Sequence, residues 1–377
     1  MNNGKNSLAD APKTVRALPR LKLRVATKPF KNPTPAVARF RDGFLFEDVL
    51  EGGNHMADCH DLFREFLGEI RLSESKKASL RTSRNANRER ICDHFRDALK
   101  KEVPKFHGQG SYNMHTMVNP LDDDYDIDDG VYLQGLGTDQ SKWPSCATVH
   151  GWIIDATKGY TKTPPASRSK CVRVPYVGYH VDLPCYALNL ANVPMLFRKG
   201  KDPIESDPRE FSKWFKDNVK AHGDQLRDHI RYLKGWRDHQ GGDALLASGC
   251  ALTILASNHF IADGRDDVSL VKTVSLIHSY MAAGGKITKP VTPYENLDGA
   301  WTQRQRENYI KKLKNFVDRG NDALAEESKA VASGIWRQLL GNRFPVVEEE
   351  EKSNKAYAAS ALRTSAAAIL GNDGRSG

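Results

Sequence analysis

GQGSYNMHTMVNPLDDDYDIDDGVYL, residues 108–133, sets a Gly-Ser pair (Gly110, Ser111) ahead of two aspartates, Asp126 and Asp128, on a segment of strand character. Side chains two apart on a strand share a face, so these carboxylates can hold divalent cations between them while Ile127 points into a core. Gly110 has no Cβ, which lets backbone approach a triphosphate closely, and Ser111 offers a hydroxyl and an N–H donor to a β or γ phosphate. Each half alone has an ordinary explanation. Gly-Ser is a common turn, and a run of acids such as Asp122, Asp123, Asp124, Asp126, Asp128 and Asp129 commonly forms a solvated loop. Val131, Tyr132 and Leu133 follow at once, however, so the acids belong to an element entering a core.

A third carboxylate appears in Tyr176-Val177-Gly178-Tyr179-His180-Val181-Asp182-Leu183-Pro184. Alternation places Tyr179, Val181 and Leu183 on one side of this strand and His180 with Asp182 on the other. Cys171-Val172-Arg173-Val174 upstream is β-prone, and Pro175 and Gly178 between the two runs predict a hairpin. A lone acid on such a strand needs a partner, because an unpaired buried charge costs several kcal/mol, on the order of 3–5. Three acids around two cations would resolve these charges together.

Gly-Ser, then Asp-x-Asp-x-Gly, then a distant Asp on a neighbouring strand resembles the nucleotidyltransferase superfamily of DNA polymerase β. Gln109-Gly110-Ser111, Asp126-Ile127-Asp128-Asp129-Gly130-Val131-Tyr132 and Gly178 to Pro184 look like the cGAS/DncV-like nucleotidyltransferases, bacterial relatives of cyclic GMP-AMP synthase. Arg231-Tyr232-Leu233-Lys234-Gly235-Trp236-Arg237-Asp238 and Ser248-Gly249-Cys250-Ala251-Leu252-Thr253 add two further matches, and the resemblance spans 55–345. It implies an α+β fold with two lobes: a polymerase β-like lobe with a mixed sheet, and a C-terminal helical lobe as in cGAS and oligoadenylate synthase. It implies a reaction in which the 3′-hydroxyl of one nucleotide attacks the α-phosphate of an NTP and expels pyrophosphate, a second round closing a ring.

On that resemblance Asp126, Asp128 and Asp182 are the catalytic and metal-binding residues, with Asp182 a candidate proton acceptor. Gln109, Gly110, Ser111, Lys234 and Ser248 are the nucleotide-binding set. Two magnesium ions, or manganese in their place, fit an all-carboxylate site that also uses substrate phosphates. ATP, joined by GTP, is the expected substrate, and a downstream effector the expected reader of the product. Met114 stands where a member that makes 3′,3′ cyclic GMP-AMP has an aromatic, so base choice stays open. Some relatives in bacterial anti-phage (CBASS) operons carry a C-terminal glycine that an E1/E2-like conjugating partner joins to another molecule, which makes Gly377 a candidate for conjugation. Two other functions compete: nucleotide transfer to an RNA or protein acceptor, and non-enzymatic nucleotide or RNA binding, which three intact acids argue against.

Of the 377 residues, 39% are hydrophobic and 27% charged, ordinary for a soluble globular chain. No apolar run is long enough to span a bilayer and no signal core opens the sequence, so the expectation is a cytoplasmic protein without membrane attachment. Cys59, Cys92, Cys146, Cys171, Cys185 and Cys250 are scattered with no CxxC pair, which excludes a zinc ribbon or disulfide scaffold and reads as buried thiols. The net charge of +9 is local: residues 1–40 hold nine Lys or Arg against Asp10, leaving 47 basic and 46 acidic residues for 41–377. A nearly neutral body, with no His and Cys cluster to build a zinc thumb, lacks the basic face of an enzyme that requires DNA.

Four segments follow: a basic, Pro-rich arm at 1–40, a nucleotidyltransferase lobe at 41–200, a helical lobe at 201–345, and a tail at 346–377 ending in glycine. Helical spacing of Leu62, Phe63, Phe66, Leu67 and Ile70, then of Ile91, Phe95 and Leu99, predicts two early helices, the first belonging structurally to the second lobe. Ser145–Thr157 reads as a helix that buries Val149, Trp152 and Ile153. Asp207-Pro208-Arg209-Glu210 predicts a capped helix start with Phe211, Trp214 and Phe215 inward. Leu226 to His239 carries an apolar stripe of Leu226, Ile230 and Leu233, with Lys234 at its edge. Residues 248–262 read as a central buried helix, Asp266 as the cap of the next, and Thr302 onward as an amphipathic helix with Tyr309, Leu313, Phe316 and Val317. Pro293 to Leu297 resembles a family loop near the cleft.

Overall fold

A computed structural model describes residues 56–241 and 247–348. The expected arm at 1–40, the tail from 349 on and Gly377 lie outside the described residues. Eight strands form one mixed sheet: β1 (Lys105–Gln109), β2 (Tyr125–Tyr132), β3 (Ala166–Ser167), β4 (Val172–Pro175), β5 (Tyr179–Leu183), β6 (Cys185–Leu188), β7 (Pro194–Arg198) and β8 (Lys201–Glu205). β2 is the hub. It pairs antiparallel with β1 on one edge, and parallel with β5 and then β6 on the other. The predicted hairpin is present as the β4–β5 pair, with Arg173 opposite Asp182 in register. Gly178 at φ +78° supplies its turn.

α2 (Glu74–Asp93) and α4 (Cys146–Thr157) pack on this sheet, and Ser73 and Ser145 accept the Lys76 and Thr148 N–H groups at their N-termini. Ile127, Val131, Val149, Ile153, Val172, Val181 and Leu183 make the shared core. Trp152, expected inward, is half-buried: its ring stands edge-on to Phe95 and carries the Lys101 ammonium over its face.

A second core is built mainly from helices: α1 (His60–Ile70), α5 (Pro208–His222), α6 (Gln225–His239), α7 (Gly249–His259), α8 (Asp266–Ala282), α9 (Gln303–Ala325) and α10 (Lys329–Leu340). α1 precedes the sheet in sequence yet buries Leu62, Phe63, Phe66, Leu67 and Ile70 here. Phe63 sits edge-on to Tyr232, Trp336 and Phe344 at 4.9–5.2 Å between centroids, contacts worth about 0.5–1.5 kcal/mol each beyond area burial. Asp207 caps α5 by accepting the Arg209 and Glu210 N–H groups, with Pro208 in the first turn. Thr302 and Gln305 form a reciprocal capping box on α9. Asp266 departs from expectation: Arg265 occupies the cap position, and Asp266 is buried, accepting hydrogen bonds from Tyr232 at 2.8 Å and Gln225 at 2.8 Å. It ties α8 to α6 instead of ending a helix.

Candidate active site

The parallel β2–β5 register sets Asp126 beside His180 and Asp128 beside Asp182. Partners in a parallel pair project to one face, so all four side chains meet on the same side of the sheet. Asp129, next in sequence, points the other way: it is fully buried and bound by the Arg88 guanidinium at 2.7 and 2.5 Å. The acidic run thus divides three ways, with Asp122, Asp123 and Asp124 exposed, Asp126 and Asp128 in a cleft, and Asp129 a structural ion pair.

β1 runs into a short helix, α3 (Gly110–Met114), with Gly110 at φ +66°. A Cβ added at Gly110 would stand 2.1 Å from Asp128 Oδ2. Glycine is therefore required both by the left-handed backbone and by the carboxylate beneath it. Burial raises the pKa of Asp128 well above the ordinary carboxylate range, and the charges of Asp126 and Asp182 push it further. Asp126 is raised too, by burial first and then by Asp182, with His180 opposing. Carboxylates crowded in this way favour protons until a cation arrives.

His180 completes the cluster. Its Nδ1 lies 3.1 Å from Asp124 Oδ1, while Nε2 is buried without a hydrogen-bond partner, 3.9 Å from both Asp126 Oδ2 and Asp182 Oδ2. A tautomer with the proton on Nδ1, donated to Asp124, turns the Nε2 lone pair toward the acids. Donor atoms of Asp126, His180 and Asp182 all fall within 4.8 Å of one another, so these residues fit a divalent cation. Asp182 is also gripped by Arg173 through Nε at 2.9 Å and Nη2 at 2.8 Å, a fork that fixes its plane.

Two cavities meet at Asp128. One, of about 420 Å³, is lined by Gln109, Gly110, Ser111, Asp126 and Asp128 on the sheet side and by Lys234, Arg237 and Lys289 across from them. The other, of about 660 Å³, holds Asp182, Lys170, Arg198 and Glu295 and shares Gln109, Asp128 and Lys289 with the first. Pro293 and Glu295 of the expected cleft loop line this second cavity.

Lys234 is not at an exposed helix edge. It is buried, its Nζ donating to the Thr116 carbonyl at 2.9 Å, and burial with Arg237 nearby lowers its pKa to about 8. Gly249 at the start of α7 lets the lysine stem pass, since a Cβ there would meet Lys234 Cε at 3.3 Å. Ser248 stands apart from the other candidates: it is exposed and accepts the Ala251 N–H as the cap of α7, while Gly249, Cys250 and Thr253 face the cavity. Gln109 reaches the Tyr186 hydroxyl at 3.3 Å. The six cysteines are unpaired; Cys59 and Cys185 are buried and the others half-buried.

Sequence reasoning gave no role to His180, Arg173, Arg237 or Lys289. For His180 a signal existed, because alternation already set it on the face of Asp182. Arg173 follows from hairpin register, whereas Lys289 reaches the cleft from a loop far along the chain.

A family model described as the nucleotidyltransferase domain of cyclic GMP-AMP synthase DncV-like proteins matches residues 104–186. A cyclic GMP-AMP synthase of Vibrio cholerae is 26% identical over 313 residues, covering 67% of this chain and 70% of the relative. A cyclic AMP-AMP-AMP synthase of Acinetobacter is 23% identical over 335 residues, covering 84% and 94%. The crystal structure of Vibrio cholerae DncV, a cyclic AMP-GMP synthase, shares the fold with a TM-score of 0.66 at 19% identity, over 76% of this chain and 97% of that one. The acid-bearing β2–β5 pair under a Gly-Ser turn lies within the matched segment, so residues 104–186 form a nucleotidyltransferase domain similar to that of the cGAS/DncV-like enzymes, in a fold shared with DncV.

Proposed function

We propose that this enzyme joins NTPs into a cyclic di- or trinucleotide, with Asp126, Asp128 and Asp182 as its catalytic acids. The observation that carries this reading is the meeting of two cavities at Asp128. Asp126 and Asp128 face the first, and Asp128 and Asp182 the second. A donor NTP fits the first cavity, its polyphosphate between the Gly110–Ser111 turn and the cations of Lys234, Arg237 and Lys289. An acceptor fits the second, its 3′-hydroxyl directed at the junction by Asp182, which Arg173 holds in place. Asp126, Asp128, Asp182 and His180 would hold magnesium, or manganese in its place; such ions lower the pKa of an attacking hydroxyl and neutralise a leaving oxyanion. Lys234 keeps the turn in position through Thr116 and sets a positive charge against the departing pyrophosphate. Two binding compartments also suit repetition: a linear product moved across the junction presents its free 3′-hydroxyl for ring closure.

ATP, with or without GTP, is the proposed substrate, and the relatives named as cyclic GMP-AMP and cyclic AMP-AMP-AMP synthases support it. A signalling role in anti-phage defence inside the cytoplasm, an effector that reads the product, and conjugation of Gly377 belong to the same reading. No described helix is long and apolar enough to cross a membrane. Incubating the protein with four NTPs and magnesium should release pyrophosphate and leave a phosphatase-resistant product identifiable by mass. D126A and D128A should each abolish both while retaining the fold. A linear product, or label transferred to an added RNA or protein, would replace this reading with nucleotide transfer to an acceptor.

A further inference from the structure

α3 has a second cavity on its far side. This space, of about 210 Å³, is lined by Arg71, Lys77, Arg81 and Arg231, by Tyr112 and His115, by Met117 and by Glu74. Met117 also lines the cleft, so α3 and the chain that leaves it form the partition: Gly110, Ser111 and Met114 face the acids, while Tyr112 and His115 face this back cavity. Four cationic side chains meet one carboxylate in its wall, and Glu74 is already bound to Lys77 at 2.8 Å. Behind the wall, Asp228 is divided among Arg64 at 2.7 Å, Arg71 at 3.1 Å and Arg231 at 2.5 Å. Positive charge therefore exceeds negative around this cavity; Arg231 is buried at its base, Lys77 is half-buried, and Arg71, Arg81 and Glu74 are exposed at its mouth.

The neighbouring groups register that excess. Burial, then the charge of Arg71, lowers the Arg231 pKa to about 10. Burial and the surrounding cations Arg227, Lys216, Arg231 and Lys77 hold His115 below the ordinary histidine range. A surplus of guanidinium groups gathered around one buried arginine is repulsive in isolation and is relieved by a multivalent anion. Guanidinium forks match phosphate oxygens, and the volume lies below the roughly 300–1,000 Å³ of pockets that take whole drug-sized ligands.

We infer that this back cavity is a second anion site, built to take a small di- or polyphosphate on Arg71, Lys77, Arg81 and Arg231. It is distinct from the nucleotide cleft but mechanically joined to it. Arg231 donates to the His115 carbonyl, and three residues on, Lys234 donates to the carbonyl of Thr116, the next residue. An anion that draws Arg231 inward bears on the segment that fixes Gly110 and Ser111.

The test is calorimetric titration of the full chain with inorganic pyrophosphate in chelator without metal, repeated with ATP. Arg81 is exposed and Lys77 half-buried, so K77E/R81E should fold, with K77Q/R81Q as the milder variant; thermal unfolding of both checks this. The wild type should bind pyrophosphate at a site that K77E/R81E weakens at least about tenfold and K77Q/R81Q less. Equal weakening of ATP would mean that nucleotide phosphates also enter, and unchanged ATP binding that the site takes free polyphosphate alone; both support the shared chemistry. Pyrophosphate binding unchanged in both variants, or no binding to the wild type at millimolar concentration, overturns it. Neither result bears on the cleft acids, which the NTP incubation tests separately.

Discussion

Replacing Gly110 by alanine tests whether the Gly-Ser turn and the acids work as one device. The added Cβ would lie 2.1 Å from Asp128 Oδ2 and 3.1 Å from its Cγ. The Asp128 backbone cannot give way, because β2 is held at that position by Gln109 on one side and Asp182 on the other. Its carboxylate must swing by ~1 Å or more and leave its rotamer, at about 0.5–1.5 kcal/mol. A side chain at φ +66° adds about 1–2 kcal/mol of backbone cost. Stability should therefore fall by about 1.5–3.5 kcal/mol in urea unfolding. Activity should fall further than unfolding explains, since a misplacement of ~1 Å at a reacting centre costs about a hundredfold, or ~2.7 kcal/mol of barrier. Gly137 separates the two effects: it sits at φ +68° with nothing within 4 Å of an added Cβ, so G137A bears the backbone cost alone. Initial rates of pyrophosphate release, corrected for folded fraction, should be about a hundredfold lower in G110A and near wild type in G137A. Equal rates in the two variants would refute the coupling of turn to acid.

H180Q should weaken manganese binding at least about tenfold by electron paramagnetic titration and remove any imidazole nitrogen coupling, because Nε2 is the neutral donor aimed at the acids. R88L should cost about 3 kcal/mol in urea unfolding by leaving buried Asp129 without its partner. His150 is buried, with Nδ1 2.7 Å from Ser167, and burial lowers its pKa to about 4. The unfolded chain then takes up that proton first, so stability present above pH ~6.5 should decline by about 2 kcal/mol as pH falls toward 4.5, and H150Q should flatten that slope.

The sheet was legible because period-two alternation around Asp126, Asp128 and Asp182 leaves one face for acids and one for Ile127 and Val181. The same alternation put His180 in the site, although its chemistry showed only once Asp124 was seen to bind the other ring nitrogen. Partners distant in sequence were not legible. Nothing local says that Arg88 reaches Asp129, or that Asp266 is spent on Gln225 and Tyr232 when a helix start needs a cap. Lys234 looked peripheral because its stripe neighbours mark one buried face, but α6 is buried nearly all round, between α1, α7 and α10. Ser248 carries a second duty that its motif did not disclose: its hydroxyl oxygen caps α7 by accepting the Ala251 N–H.

Electrostatic compensation is uneven across the three acids. Arg173 forks Asp182, and His180 stands 3.9 Å from Asp126. Among the described residues the Asp128 carboxylate has no hydrogen bond or ion pair, although both cavities open onto it. Raised pKa values mean that the folded chain binds protons at Asp126 and Asp128 more tightly than the unfolded chain does. The pair therefore subtracts stability as pH climbs from 3.8 through the raised values. A fold selected for stability alone would supply a guanidinium to Asp128, as it does to Asp129 one residue away. Gly110 instead covers this carboxylate with bare backbone, and no side chain there competes for it. A divalent cation held there would offset this repulsion and stabilise the folded chain by mass action.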